Sequence, residues 1–244
     1  MKTCITLILC LAASAVRSQD IVNLVLVGKN GITENVKEAT SFILVKKYPD
    51  RFQRLDYIMH GPLVKLKTYS DPDLKILEGG YYEYDANGAV QRSGYYSNNL
   101  KAKSWYTYND TGKVVLEEKY ELGILVKAIN PDTVKKEEVT PNTIQKVEKE
   151  ASFQNGDKDW IKYLRTNLKA DVALNSVKGG TVRVIFVVSK TGKCTDVYLK
   201  KSVEFVLDEE AIRVIENSPL WNPAIQNDRI VNAYRVQPLT FIKE

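Results

Sequence analysis

The stretch Gly179-Gly180-Thr181-Val182-Arg183-Val184-Ile185-Phe186-Val187-Val188 (GGTVRVIFVV) sets the architecture of the C-terminal half of this chain. The glycine pair breaks the preceding structure, and a run rich in β-branched residues follows. Val182, Val184, Phe186 and Val188 share one face, while Ile185 and Val187 leave the other face partly apolar as well. A strand that is apolar on both sides belongs in the middle of its sheet. Ser189 to Lys193 forms a glycine-containing turn, and Cys194 to Lys200 returns as the hairpin partner. Leu207, Ala211, Val214 and Ile215 then recur at helical spacing. Asp208, Glu209 and Glu210 sit in what reads as the first turn of that helix, where acids suit the positive end of the dipole. Pro219 ends it.

The closing segment contains Pro219-Leu220-Trp221-Asn222-Pro223 and then a last strand whose first part is Ile230-Val231-Asn232-Ala233-Tyr234-Arg235-Val236. Proline has no N–H for a ladder, so Pro238 belongs at a sheet edge, a strand start or a bulge, which points to a last strand left open on one side. Its alternation is imperfect, because Arg235 and Gln237 share a face with Val231, Ala233, Leu239 and Phe241. Upstream, Trp160, Ile161, Leu164 and Leu168 mark another helix, with Asp157 as its expected cap. The order helix, strand, strand, helix, strand predicts an α+β domain: two helices on a three-stranded antiparallel sheet.

Residues 127–150 separate this domain from what precedes it. They hold no aromatic residue, two prolines and ten charges of both signs, and read as a charged linker. The boundaries that follow are 20–126 and 151–244. The first region contains an internal repeat at an offset of 24 residues: Tyr82 falls on Tyr106, Tyr84 on Tyr108, Gly88 on Gly112, Val90 on Val114 and Tyr96 on Tyr120. Each copy reads as an aromatic strand, a turn and a second strand, with Asp85 to Gly88 and Asn109 to Gly112 supplying the turn residues. An earlier, degenerate hairpin runs from Ser41 to Lys47 and from Arg51 to His60, and Leu63 to Tyr69 is one more strand. The tyrosine stripes are expected to serve mainly as the repeat's own core, since an isolated hairpin cannot stand without a buried face.

Two family resemblances rest on these residues. Gly180-Thr181-Val182, Phe186-Val187-Val188, Gly192, Leu207-Asp208-Glu209-Glu210-Ala211 with Arg213-Val214, Pro219 to Ala224, Pro238 and Phe241 together resemble the TonB C-terminal domain over about residues 157–243. The tyrosine–glycine rhythm over about 74–126 resembles MORN-type hairpin repeats. The first resemblance implies a protein that grips a short segment of an outer-membrane transporter or receptor in the periplasm and couples energy to transport. The physical mode is β-augmentation, in which an extended peptide joins an open sheet edge. The partner-binding edge is then Ile230 to Val236, and Pro219, Trp221 and Pro223 form a structural loop pinning the helix end to the sheet. The sequence departs from the family pattern where Ala170-Asp171 replaces a Tyr-Pro pair, and where a membrane-spanning N-terminus and a long proline-rich spacer are expected. The module therefore looks reused outside the standard transducer. The alternatives are a homodimeric envelope scaffold, with the edge paired to a second copy, or repeats that bind lipid or a toxin-like partner.

Residues 1–18 read as a signal peptide, with Lys2, the apolar run from Ile5 to Ala13, and a cleavage site after Ser18. The expected place is the periplasm or cell envelope, and peripheral membrane association is compatible with it. Leu9 before Cys10 argues against lipidation. Losing Lys2 and Arg17 lowers the net charge from +5 to +3, too mild a balance for a nucleic-acid binder. Of three cysteines only Cys194 remains, so no internal disulfide forms. His60 is the only histidine and lies beside Gly61-Pro62 in a turn; Asp71 and Asp73 flank Pro72 in another. No catalytic residues, metal or cofactor are expected, and the chain does not read as an enzyme.

Overall fold

A computed structural model describes residues 20–133 and 148–243. The signal-peptide segment and most of the charged linker lie outside the described residues. The N-terminal half is one antiparallel sheet of ten strands: β1 (Asp20–Gly28), β2 (Gly31–Thr33), β3 (Ala39–Lys47), β4 (Phe52–Ile58), β5 (Leu63–Tyr69), β6 (Leu77–Tyr84), β7 (Val90–Ser97), β8 (Leu100–Tyr108), β9 (Val114–Glu121) and β10 (Ile124–Ile129). From β3 to β10 each strand pairs with its sequence neighbour, and β1 inserts between β3 and β2. The β1–β2 hairpin was not foreseen. β1 is largely exposed and follows the segment read as a signal peptide, so its apolar run was not assigned to a strand.

The 24-residue repeat becomes the β6–β7 and β8–β9 hairpins. Their turns are built alike. Asp85 Oδ1 accepts from the backbone N–H of Asn87 and Ala89, and Asn109 Oδ1 does so from Thr111 and Lys113, all at 2.8–3.1 Å. Gly88 and Gly112 close them at φ 78° and 77°, a left-handed conformation that glycine adopts without strain.

The C-terminal half has α1 (Asp157–Asn167), a 3-10 turn (Ala170–Asn175), β11 (Gly180–Val188), β12 (Cys194–Lys201), α2 (Phe205–Glu216), the short hairpin β13 (Ala224–Gln226) and β14 (Arg229–Val231), and β15 (Ala233–Phe241). Its main sheet is three-stranded in the order β12-β11-β15, with the apolar strand in the centre. The described residues form an α+β molecule with two α-helices. Two local expectations are corrected. The cap of α1 is Gly156, at φ 89°, and Asp157 is the first helical residue rather than the cap. α2 begins at Phe205, so only Asp208 of the three acids lies in its first turn, and Glu209 and Glu210 serve other partners.

Those partners explain how the halves meet. α2 is buried nearly all round, by Leu207, Ala211, Ile212, Val214 and Ile215 together with Asp208 and Glu210. A helix with that burial needs cover on two sides. One side packs on Val182, Val184, Phe186 and Val188 of β11 and Leu239 and Phe241 of β15. The other packs on Leu44, Leu55, Tyr57 and Leu63 of the N-terminal sheet, within the same hydrophobic cluster. Phe42 stacks on Tyr57 at 5.3 Å, and both meet Phe205 edge-on at 5.7 and 5.5 Å. The layers are therefore large sheet, helix, small sheet.

The tyrosines divide between the two faces of the large sheet. Tyr84 donates to the carbonyl of Leu199 and Tyr82 stacks on Tyr198 at 4.4 Å, both seated on the C-terminal half. On the opposite face Trp105 is 1% exposed, although among the described residues no second layer covers it. It lies on Gly94, where any Cβ would come within 2.1 Å of the indole, and is enclosed by Tyr81, Tyr96 and Tyr120. Lys101 and Arg92 cap the ring at 4.6 and 5.3 Å.

Candidate partner-binding edge

β15 pairs with β11 without a bulge from Gly180↔Phe241 to Val188↔Ala233. The direction of its backbone follows from the turn that leads into β12. Ser189 N–H donates to the carbonyl of Lys193 across that turn, so odd-numbered residues of β11 face β12 and even-numbered ones face β15. The register pairs those even residues with Arg235, Gln237, Leu239 and Phe241. The backbone of Tyr234, Val236, Pro238 and Thr240 consequently points away from the sheet. Among the described residues no strand pairs with that outer side.

The rim is limited in length. Pro238 has no N–H, and its carbonyl accepts from Gln237 Nε2 at 2.9 Å. What remains open is the N–H and C=O of Tyr234 and Val236, with Thr240 beyond the proline. The two side chains beside them, Tyr234 and Val236, are 70% and 43% exposed.

The described end of the linker leaves this rim alone. Lys149 exchanges two backbone hydrogen bonds with Ile225, and Ser152 exchanges two with Asn222, so 148–152 runs beside β13 and the tryptophan loop. Glu150 reaches β15 only through its side chain, which pairs with Arg235 at 2.8 Å. The imperfect alternation of β15 also has its reason here. Gln237, turned toward the helices, accepts from the indole N–H of Trp160 at 2.9 Å, so the two polar residues on the inner face are each matched.

The predicted edge residues divide between two elements. Ile230 and Val231 belong to β14 and pair with Ile225 and Ala224. Asn232 interrupts, its Oδ1 accepting from Lys190 N–H at 2.9 Å, which ties the start of β15 to the β11–β12 turn. Ala233 to Val236 open β15. In the loop, Trp221 is buried against Phe153, Trp160 and Phe186. Its backbone N–H donates to the carbonyl of Gly192, and a Cβ on Gly192 would stand 2.2 Å from the Trp221 carbonyl oxygen. Pro219 and Pro223 flank that contact.

The opposite edge of the small sheet is occupied. Ser202 N–H donates to the carbonyl of Gly88, Ala89 bridges to Lys201, and Ser202 Oγ accepts from Leu63 N–H. At this seam lies a group that the sequence reading assigned only to the helix dipole. Asp208 is fully buried and accepts from Ser202 Oγ, Val203 N–H and Tyr57 OH. Burial pushes its carboxyl up to about 7, against the pull of these hydrogen bonds. Glu209 pairs with Lys46, itself 1% exposed, and Glu210 holds Arg213 and the N–H of Lys169. Three consecutive acids in the middle of an amphipathic helix were the available signal for this seam. Elsewhere Cys194 is half-buried beside Ser218, its thiol pushed up by burial. His60 is an exposed turn residue at φ 57°, and Asp71 caps the N–H groups of Lys75 and Ile76.

Residues 171–242 match the family model of the Gram-negative bacterial TonB protein C-terminal. The matched span runs from the 3-10 turn through β15 and leaves α1 outside it. No curated protein and no solved structure matches the chain. The TonB-type span thus contains the entire three-stranded sheet, α2, the tryptophan loop and the unpaired rim. Among the described residues no helix is long and apolar enough to cross a membrane.

Proposed function

We propose that this is an exported cell-envelope protein whose TonB-type domain binds an extended segment of an outer-membrane transport or receptor protein. The segment adds as a fourth strand beside β15. The observation that carries this reading is a nine-residue strand inside the family-matched span, laddered on one side and open on the other. The backbone hydrogen bonds of Tyr234 and Val236 supply the pairing, and the exposed faces of those residues supply side-chain selectivity. Pro238 ends the ladder and keeps the edge from recruiting long strands nonspecifically. The domain acts by binding; energy coupling to transport is the process it serves. We read the β6–β9 hairpins as MORN-type repeats used here as scaffold, on the strength of their 24-residue register and of Tyr82 and Tyr84 seated on the C-terminal half.

The test uses Val236→Pro, which removes an outward N–H and leaves the β11 ladder intact. Cross-linking of the full chain to an outer-membrane fraction should recover transport or receptor proteins with the wild type and lose them with the variant. The reading fails if the recovered set is unchanged, or if the only cross-linked species is a second copy of the chain.

A further inference from the structure

A cleft lies on the other side of the small sheet. It has a volume of about 1050 Å³ and is bounded by the β6–β7 and β8–β9 turns on one wall and by the outer face of β11 and β12 on the other. The repeat thus places two copies of the same turn along one cleft, a consequence of the 24-residue period.

The floor is basic without compensation. Arg183 and Lys201 are direct register partners across β11 and β12, and both line the cleft with Lys178 and Lys200. Like charges directly opposite on a sheet repel. Yet none of these four cations makes an ion pair or a side-chain hydrogen bond among the described residues. The turns contribute only Asp85 and Asp110, and Asp85 is already engaged by the backbone of its own loop. Ile185, Tyr198 and Tyr108 add apolar and aromatic surface between the charges. A fold that tolerates an uncompensated cationic pair beside a walled cleft is arranged for an anionic occupant.

We propose that this cleft is a second binding site, for an acidic peptide segment whose carboxylates lie against Arg183, Lys200 and Lys201. A peptide suits the walls better than a dense polyanion. Its carboxylates are spaced by uncharged backbone, and its amides can donate to the polar turn residues. No residue of β15 is part of the cleft lining.

The test measures anisotropy of a labelled octapeptide alternating glutamate and serine, with the full chain at low ionic strength. Saturable binding is expected, weakening as salt rises, and about tenfold weaker with Arg183→Glu and Lys200→Glu combined, as loss of two close pairs implies. Arg183→Gln gives a sharper signature: it should weaken binding while raising the unfolding temperature, because it also relieves the repulsion from Lys201. A merely structural arginine would lower both or leave binding untouched. Val236→Pro should not change the affinity. The proposal is overturned if the peptide does not bind, if Arg183→Gln binds it as the wild type does, if Val236→Pro abolishes binding, or if short polyphosphate of equal charge binds the cleft more tightly than the peptide.

Discussion

Gly88 and Gly112 occupy equivalent places in the two repeats and have the same φ within a degree, yet their surroundings differ. A Cβ on Gly112 meets nothing within 4 Å, whereas one on Gly88 would stand 2.2 Å from the carbonyl oxygen of Ser202. Gly112→Ala therefore costs only the left-handed strain, about 1–2 kcal/mol. Gly88→Ala adds a backbone clash and the loss of the Ser202-to-Gly88 hydrogen bond, so it should cost several kcal/mol more. Chemical denaturation of the two variants checks this; equal costs would mean that the Gly88 seam contributes nothing. The glycines were legible in the sequence because turn chemistry is local. The Ser202 contact, 114 residues away, left no local mark. The same holds for Trp105 and Gly94, whose contact depends on a diagonal across paired strands.

At the scale of elements, α2 carries the most information that the sequence concealed. Its apolar spacing identified a helix, but acids near a helix start have a sufficient local explanation in the dipole, and that explanation hid the seam. Asp208 ordinarily titrates near 3.8 and is pushed up to about 7 by burial; Glu216, at the other end of α2, is pushed from 4.5 up to about 7 for the same reason, with Lys46 and Arg51 opposing and Glu209 adding to it. Both groups hold their proton more tightly in the folded than in the unfolded chain. Stability therefore falls as pH rises from about 4 to about 7 and levels off above, by up to about 1.4 kcal/mol per unit and group while the shift lasts. The unfolding temperature should be several degrees higher at pH 5 than at pH 8. Asp208→Asn keeps the shape and removes one of the two titrating groups, so it should remove roughly half of that slope. A wild type that gains stability between these pH values, or an Asp208→Asn profile identical to it, would refute the assignment. β15 shows the converse. Pro238 announced an edge strand from composition alone, while the break at Asn232 did not show, because Ile230 and Val231 alternate as well in a short hairpin as in a continuous strand.

For the whole molecule, the linker's composition separates two regions in sequence, and the helix between the sheets joins them in space. Tyr57, Leu44 and Leu55 from one half and Leu207, Ala211 and Ile215 from the other belong to one cluster, so neither half has a complete core without its partner. Folding and unfolding should then be cooperative across the linker. The three tryptophans allow this to be read separately: Trp105 reports on the large sheet, and Trp160 and Trp221 report on the TonB-type half. A Trp105→Phe chain and a Trp160→Phe, Trp221→Phe chain each retain the tryptophans of one half only, and their denaturation midpoints, corrected for each substitution's own cost by circular dichroism, should coincide. Tyr57→Ala, which removes a ring buried between the halves and the hydrogen bond to Asp208, should lower both midpoints together, by about 3–5 kcal/mol of stability. If Tyr57→Ala shifted the Trp105 signal alone and left the Trp160 and Trp221 signal in place, the seam would be a docking contact between independently stable units. The TonB-type sheet would then present its rim whether or not the large sheet were attached, whereas a shared core makes the rim's rigidity depend on the repeat region that braces β12 and α2 from the far side.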